Sequence, residues 1–191
     1  MTKADLEVLT FKTAAEWRKW LLKHHTTSPG VWLQISKKSS TEPSVTYTDA
    51  LDEALCFGWI DGQKKSHDAT SFLQKFTPRR PRSIWSKRNR DHVARLIKEK
   101  RMTKAGLNEV AAARNDGRWE SAYDSPSTMK VPDDFIHALQ KNRKAYDFFL
   151  TLNKANIYAI AWRLQTAKKP ATRERRMQVL LDMMRAGKKL H

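Results

Sequence analysis

Two stretches near the start of the chain have apolar residues at every third or fourth position, the spacing of one helix face. The first stretch follows Thr13, which with Glu16 forms a capping-box signal. The second follows Thr46 and ends at Gly58, a residue suited to a left-handed helix C-cap. The apolar positions are Trp17, Trp20 and Leu21 in the first stretch and Ala50, Leu51, Ala54 and Leu55 in the second. Both stretches are therefore predicted to be helices.

Between and after these helices, apolar and polar residues alternate with a period of two. Residues 31–36 predict one strand, and residues 59–65 and 70–76 predict two more strands joined by a short turn. We therefore expect a small antiparallel β element made of a strand at about 31–36 and a hairpin at about 59–76.

Helical spacing then returns and dominates the second half. Helices are predicted at about 86–100 and 103–117, the polar and aperiodic residues 116–130 predict a loop, and the chain from Pro132 onward is expected to be helical, with a break at Pro170. The fold class is therefore α+β and mostly helical. We expect a single domain over 1–191, with an α+β part at 1–117 and a C-terminal helical module at 132–189.

Charge adds a class of partner to this picture. The chain has 37 Lys and Arg against 20 Asp and Glu, a net charge of +17. The excess is concentrated in residues 79–104 and 163–189, and such a field attracts polyanions, with nucleic acid favoured over other partners. The predicted polyanion-binding residues are Arg79, Arg80, Arg82, Lys87, Arg88 and Arg90.

Several kinds of chemistry lack their sequence signals. The six histidines are not paired at helical spacing, the single Cys56 lies between apolar residues, and no glycine-rich phosphate loop occurs. The sequence therefore predicts no metal and no cofactor, and it favours a non-catalytic protein. The lone cysteine, the lack of a signal-peptide pattern in residues 1–13 and the short longest apolar run, Ile157–Trp162, indicate a cytoplasmic protein without a transmembrane segment.

An alternative function rests on a carboxylate between two glycines, Asp61, followed by an arginine-rich segment. If the hairpin returns the chain to its start, Asp61 faces these arginines, either as an ion pair that orders the turn or as part of a pocket for a small anionic ligand. The pocket would belong to a small enzyme or a sensor. Trp85 and Trp119 lie among charges and are candidates for stacking on a base. The candidate pocket residues are Trp59, Asp61, Arg79, Trp85 and Asn89.

A third interpretation concerns the last predicted helix, which is basic and has one apolar face. This face could attach to an anionic membrane surface or pack into the core, and packing is favoured. The apolar residues are Met177, Leu180, Leu181 and Met184. The sequence leaves the oligomeric state open.

Several motifs taken together resemble one known family, the YdeI/OmpD-associated or bacteriocin-protection family. The motifs are the segment Asp49–Gly62, then Phe76–Arg79, Ser83–Asn89 and Arg101–Gly106, and in the C-terminal helices Ala167–Lys169, Thr172–Arg173, Arg175–Met177 and Gly187–Lys188. The resemblance extends from about Tyr47 to Lys189, apart from the 116–130 loop. It implies a short C-terminal helical module and a link to bacteriocin or antimicrobial-peptide resistance, and it carries no catalytic residues onto this chain.

Overall fold

The computed structural model describes residues 6–125 and 128–191. Contacts between backbone positions divide the chain into two compact units, Met1–Ala122 and Tyr123–His191. The first unit contains the sheet and four helices, and the second is helical. The predicted α+β fold class is confirmed, while the expectation of a single domain remains a prediction.

The helices and strands follow the predicted periods closely. The strands are β1 (Val8–Thr10), β2 (Val31–Ser36), β3 (Trp59–Ser66) and β4 (Ser71–Pro78). The helices are α1 (Ala14–His24), α2 (Tyr47–Cys56), α3 (Lys87–Lys98), α4 (Lys104–Asn115), α5 (Asp133–Gln140), α6 (Arg143–Leu150), α7 (Lys154–Gln165) and α8 (Pro170–Arg185). The predicted caps are also present, because the Thr13 and Thr46 hydroxyls accept hydrogen bonds from the amides of Glu16 and Asp49, and Gly58 has a φ of +75°.

The strands form one mixed sheet in the order β1-β2-β4-β3. The hairpin of β3 and β4 is antiparallel and β2 pairs antiparallel with β4, as expected. The sequence did not predict β1, which pairs parallel with β2 at the sheet edge. Three residues are too few to show a period of two, so no pattern marks this strand.

The core of the first unit lies between one sheet face and the helices. Helix α2 contacts α1, β3, α3 and α4, and every residue from Ala50 to Cys56 is buried. The sheet presents Val31, Leu33 and Ile35 to this core, and α1 adds Trp17 and Leu21. Because α2 is covered on all sides, its two carboxylates, Asp52 and Glu53, are buried as well.

The second unit has its own core, built from α5 to α8. The fully buried residues include Phe135, Leu139, Ile160 and Leu180. Leu181 and Met184 of α8 belong to the same core, so packing accounts for most of the apolar face that was considered for membrane attachment. Among residues 6–125 and 128–191, no helix is both long enough and apolar enough to cross a membrane.

Candidate functional site

The sheet has a second face, turned away from the core, which we call the outer face. Side chains of paired residues project to the same side of a sheet, so the pairs Trp32–Lys75 and Gln34–Leu73 place these four residues on it. Leu73 is buried there, while Trp32, Gln34 and Lys75 are half-buried. The outer face therefore combines one aromatic ring with polar and cationic side chains.

A β-bulge in β3 brings a further cation to the outer face. Asp61 pairs with Phe76 and Lys64 pairs with Gln74, so three steps along β3 match two steps along β4. The extra residue reverses the alternation of the following side chains. Lys65 consequently projects from the outer face, opposite Leu73, where an unbroken strand would have turned it toward the helices.

The buried side chain of Gln74 holds this bulge in place. Its Nε2 donates to the carbonyl oxygens of Gly62 at 2.9 Å and Gln63 at 3.2 Å. These carbonyls lie in the irregular part of the ladder, so a side-chain amide replaces the missing backbone donor. The position of Lys65 therefore depends on a residue of the neighbouring strand.

On the outer face, Trp32 has the ammonium groups of two lysines close to its ring. The Nζ atoms of Lys65 and Lys75 lie 4.3 Å and 5.9 Å from its ring centroid, within the range of cation–π attraction. Both ammonium groups reach solvent, since Lys65 is exposed and Lys75 is half-buried. An anion that approaches the ring meets two positive charges over its face.

A cleft of about 550 Å³ lies on this part of the outer face. Its wall continues from Lys65 and Lys75 to Arg79 and Arg80, the first two arginines after β4. The remaining lining residues are neutral: Leu6, Pro29, Trp32, Gln63, Thr77, Pro78 and Pro81. We call this the sheet cleft. Among the residues that the structure describes, its lining contains four cationic residues and no acidic residue, so their field is positive.

Arg79 contributes to the cleft from a fixed, buried position. It is 6% exposed, and its guanidinium carbon lies 3.4 Å from the ring centroid of Trp85. Trp85 in turn meets Trp119 edge to face at 5.0 Å, and Arg90 and Arg114 lie 5.2 Å and 5.3 Å from the Trp119 centroid. Two tryptophan rings in contact are thus covered by arginines at both ends of a packed series.

This series changes the role expected for two tryptophans. Trp85 and Trp119 are 2% and 7% exposed, so their rings are already covered and offer no open face for stacking. Arg79 covers Trp85, and Arg90 and Arg114 cover Trp119. Trp32, which the sequence did not single out, is a half-buried ring with two lysine ammonium groups over its face.

The other predicted polyanion-binding residues divide into two groups. Arg80, Arg82, Lys87 and Arg88 are exposed, in the turn after β4 and in the first turn of α3. Arg90 is half-buried and donates from Nη1 to the Trp119 carbonyl oxygen at 2.7 Å. Of the six residues, Arg79 and Arg80 line the sheet cleft.

The five residues predicted for the alternative pocket lie in different parts of the first unit. Trp59 lies in the core and donates from Nε1 to the His25 carbonyl oxygen, and Asn89 is buried in the first turn of α3. Asp61 accepts a hydrogen bond from the Tyr47 hydroxyl at 2.7 Å. Arg79 and Trp85 stack on each other as described above, and of these five residues Arg79 lines the sheet cleft.

The two buried carboxylates of α2 are each neutralised by basic side chains. Asp52 lies 2.6 Å from Nδ1 of His92 and 2.5 Å from Nη2 of Arg95. Burial alone would raise the pKa of Asp52, but hydrogen bonds from Arg95 and His92 outweigh it and lower the pKa below its ordinary value. Glu53 accepts from Arg18 and Arg101, both at 2.6 Å. These pairs fasten α1, α3 and the residues after α3 to the central helix.

The surroundings of Cys56, the last residue of α2, do not activate its thiol as a nucleophile. Burial, with a smaller contribution from Glu53, raises the pKa of its thiol to about 11. The thiolate is the nucleophilic form, so this cysteine is almost entirely unreactive at neutral pH. Within residues 6–125 and 128–191, no group of three or more His, Cys, Asp or Glu side chains is arranged to hold a metal ion.

Sequence reasoning missed Trp32, Lys65 and Lys75 as site residues. The alternation in β2 predicts that Trp32 lies opposite the core-facing Val31 and Leu33, so an aromatic residue on the polar side of a strand was the available signal. For Lys65 the only hint was Gly62, since an isolated glycine in a strand indicates a bulge.

Comparison with known proteins assigns the two parts of the chain to different family models. Residues 9–109 match a domain of unknown function, DUF8412. Residues 128–187 match the family described as bacteriocin-protection, YdeI or OmpD-associated, which confirms the resemblance over the C-terminal helices. The motifs between Asp49 and Gly106 fall in the first of these two matches.

No curated protein and no solved structure matched the chain. The DUF8412 match covers more than half of the 191 residues and includes β2, the hairpin and α3. The chain therefore belongs to the DUF8412 family, and its residues 128–187 carry the bacteriocin-protection, YdeI or OmpD-associated match.

Proposed function

We propose that this protein is a non-catalytic binding module for a polyanion, and that single-stranded nucleic acid lies along the sheet cleft. The observation that carries the proposal is the arrangement around Trp32, where two lysines flank the ring and two arginines extend the same cleft. An aromatic ring beside cations on an open sheet face is the arrangement that binds single strands with little sequence preference.

Electrostatics supports a polyanion rather than a neutral ligand. Within residues 6–125 and 128–191, the lining contains four cationic residues and no Asp or Glu, and the whole chain has a net charge of +17. Successive phosphates of one strand can meet successive cations, and each neutralised phosphate releases a counterion. Arg82, Lys87 and Arg88 follow Arg80 along the chain, are exposed and add further positive charge.

Stacking distinguishes a nucleic acid from other polyanions. A base that stacks on Trp32 displaces the ammonium of Lys65 from the ring, and that ammonium remains available for the neighbouring phosphate. Base stacking on an aromatic side chain contributes about 1–3 kcal/mol per base, whereas inorganic polyphosphate has no base to stack. Comparison of the two ligands therefore isolates the contribution of the ring.

The test is fluorescence anisotropy with labelled oligothymidylate, in competition with unlabelled polyphosphate. Trp32→Leu is expected to weaken oligothymidylate binding by about 1–3 kcal/mol and to leave polyphosphate binding nearly unchanged. The matched control is Trp20→Leu, because Trp20 is also half-buried but does not line the sheet cleft. Equal losses for both ligands, or equal losses in the two variants, would show that Trp32 does not stack on a base.

A bacteriocin-protection role, if this chain has one, would follow from the same charge argument. The protein is strongly cationic, so it repels cationic antimicrobial peptides in solution. We infer that protection would operate through binding of a cellular polyanion and not through capture of the peptide. Mixing the protein with a cationic peptide should accordingly give no complex by sedimentation, and a stable complex would contradict this inference.

A further inference from the structure

The second unit has a cleft of about 640 Å³ between α7, α8 and the residues that follow α8. We call it the tail cleft. Buried Asn156 of α7 accepts hydrogen bonds from the backbone amides of Leu190 at 2.9 Å and His191 at 3.1 Å, two residues that line this cleft. Its amide nitrogen also donates to Asn153. This polar clamp ties the segment after α8 alongside α7 and leaves a cleft between them.

The interior of the tail cleft is apolar. Tyr158 and Trp162 from α7 face Val179, Leu180 and Met183 from α8, and Leu190 closes one side. Val179 is 55% exposed although it is a large aliphatic residue in a helix. The unit therefore leaves hydrophobic surface open at this cleft while its own core is fully packed.

The rim of the tail cleft is cationic. Arg163, Arg175 and Arg176 lie among its lining residues, and no Asp or Glu does. Arg176 is held in place, since its Nη1 donates to the Arg163 carbonyl oxygen at 2.7 Å and to the Thr166 hydroxyl at 3.4 Å. Arg175 is exposed at the mouth. Burial raises the pKa of Tyr158, so its hydroxyl remains a neutral hydrogen-bond donor.

We propose that the tail cleft binds a small amphiphilic anion, an aliphatic chain that ends in a carboxylate or sulfonate. The chain would lie against Trp162, Val179 and Met183, and the head group would meet the guanidinium groups of Arg175 and Arg176. The volume falls within the range of about 300–1,000 Å³ that is typical of small-molecule sites. Positive charge at the mouth selects against cationic amphiphiles of the same length.

A small molecule fits these observations better than a membrane surface. Leu180, Leu181 and Met184 of α8 are 1–7% exposed, so the helix cannot insert them into a bilayer without opening its own core. The apolar surface that remains accessible is concave, and a concave site encloses one chain better than it contacts a flat interface. The site lies in a different unit from the sheet cleft, and neither proposal depends on the other.

The experiment is isothermal titration of the full chain with monomeric dodecanoate, dodecan-1-ol and dodecyltrimethylammonium, each below its aggregation concentration. We expect dodecanoate to bind more tightly than the alcohol, and the ammonium compound to bind weakest. Val179→Asp should weaken dodecanoate binding at least about tenfold by placing a carboxylate in the cleft. Arg175→Gln should weaken it by about tenfold or more, the factor for one charge-assisted hydrogen bond.

Two matched substitutions in the same unit serve as controls. Leu150 is 63% exposed and Arg143 is exposed, and both lie on α6, away from the cleft lining. Leu150→Asp and Arg143→Gln should leave dodecanoate binding unchanged. Equal losses in test and control variants, or equal affinity for the ammonium compound, would overturn the proposal. Binding to phosphatidylglycerol vesicles without binding to monomeric dodecanoate would overturn it in favour of a membrane surface.

Discussion

The ammonium nitrogen of Lys65 lies 4.3 Å from the ring centroid of Trp32, although their strands are not neighbours in the sheet. Lys65 belongs to β3 and Trp32 to β2, and β4 runs between them. The long lysine side chain crosses β4 on the outer face because the bulge at Asp61–Lys64 turns it to that side. The place of Lys65 in the candidate site is thus a consequence of one extra residue in β3.

The bulge depends on Gln74, so its loss should release Lys65 from the ring. Gln74→Leu removes the donor to the carbonyls of Gly62 and Gln63, and we expect a decrease of about 1–2 kcal/mol in the free energy of unfolding. Ring-current shifts of the Lys65 methylene protons should also decrease in NMR spectra. Gln63→Ala is the control, because it keeps the carbonyl that Gln74 binds, and shifts unchanged in Gln74→Leu would show that the bulge holds without this contact.

The ion pair of Asp52 should make the protein sensitive to acid. The folded-state pKa of Asp52 is lowered from 3.8, so its contribution to stability is complete above that ordinary value and is lost as the pH falls through the folded pKa. Asp52→Asn should cost roughly 1–3 kcal/mol at neutral pH, because the buried side chain loses its charge and one of the two oxygens that accept from His92 and Arg95. Urea unfolding measured from pH 6 to pH 2.5 should show that the free energy of unfolding decreases less in the variant than in the wild type. Parallel curves of this free energy against pH would contradict this role.

Steric overlap, and not helix propensity, should determine how a substitution at Gly106 changes the free energy of unfolding. Alanine normally stabilises a helix by about 1 kcal/mol relative to glycine, but a Cβ here would lie 2.4 Å from the Cys56 carbonyl oxygen and 2.7 Å from that of Leu55. We expect Gly106→Ala to lower the free energy of unfolding by about 1–3 kcal/mol. Gly62→Ala, whose Cβ would meet Lys75 at an ordinary 3.7 Å, should change it little.

Cys56 should react with thiol reagents only after the protein unfolds. Its pKa of about 11 and its buried position leave almost no thiolate at pH 8. Modification by an aromatic disulfide reagent should therefore be slow in buffer and fast in concentrated urea, with the transition at the unfolding midpoint. Rapid modification of the folded protein would reopen the possibility of a reactive cysteine.

The fold was largely predictable because its elements carry clear local signals. Thr13 and Thr46 cap the helices they were expected to cap, and the hairpin of β3 and β4 has the expected pairing. The buried state of Asp52 and Glu53 was not predictable, because it depends on α1, α3 and α4 covering α2 from different directions. A helix pattern shows which residues share a face and does not show how many faces are covered.

The candidate site was predictable only in part. Arg79 and Arg80 were found through the concentration of charge after β4, and both line the sheet cleft. Trp85 was found for the same reason, yet the nearby arginine that drew attention to it is the one that covers its ring. Lys65 and Trp32 approach each other through strand order and a register shift, and both are properties of the assembled sheet.

The proposal that a polyanion occupies the sheet cleft is tested most directly by the salt dependence of oligothymidylate binding. Each phosphate neutralised on a single strand contributes about −0.7 to the slope of log K against log salt concentration. Lys65→Gln/Lys75→Gln should therefore flatten the wild-type slope by roughly 1.4. The matched Lys19→Gln/Lys23→Gln, on exposed positions of α1, should leave it unchanged. Identical slopes in all three proteins, or loss of wild-type binding by about 0.15 M salt, would contradict the account.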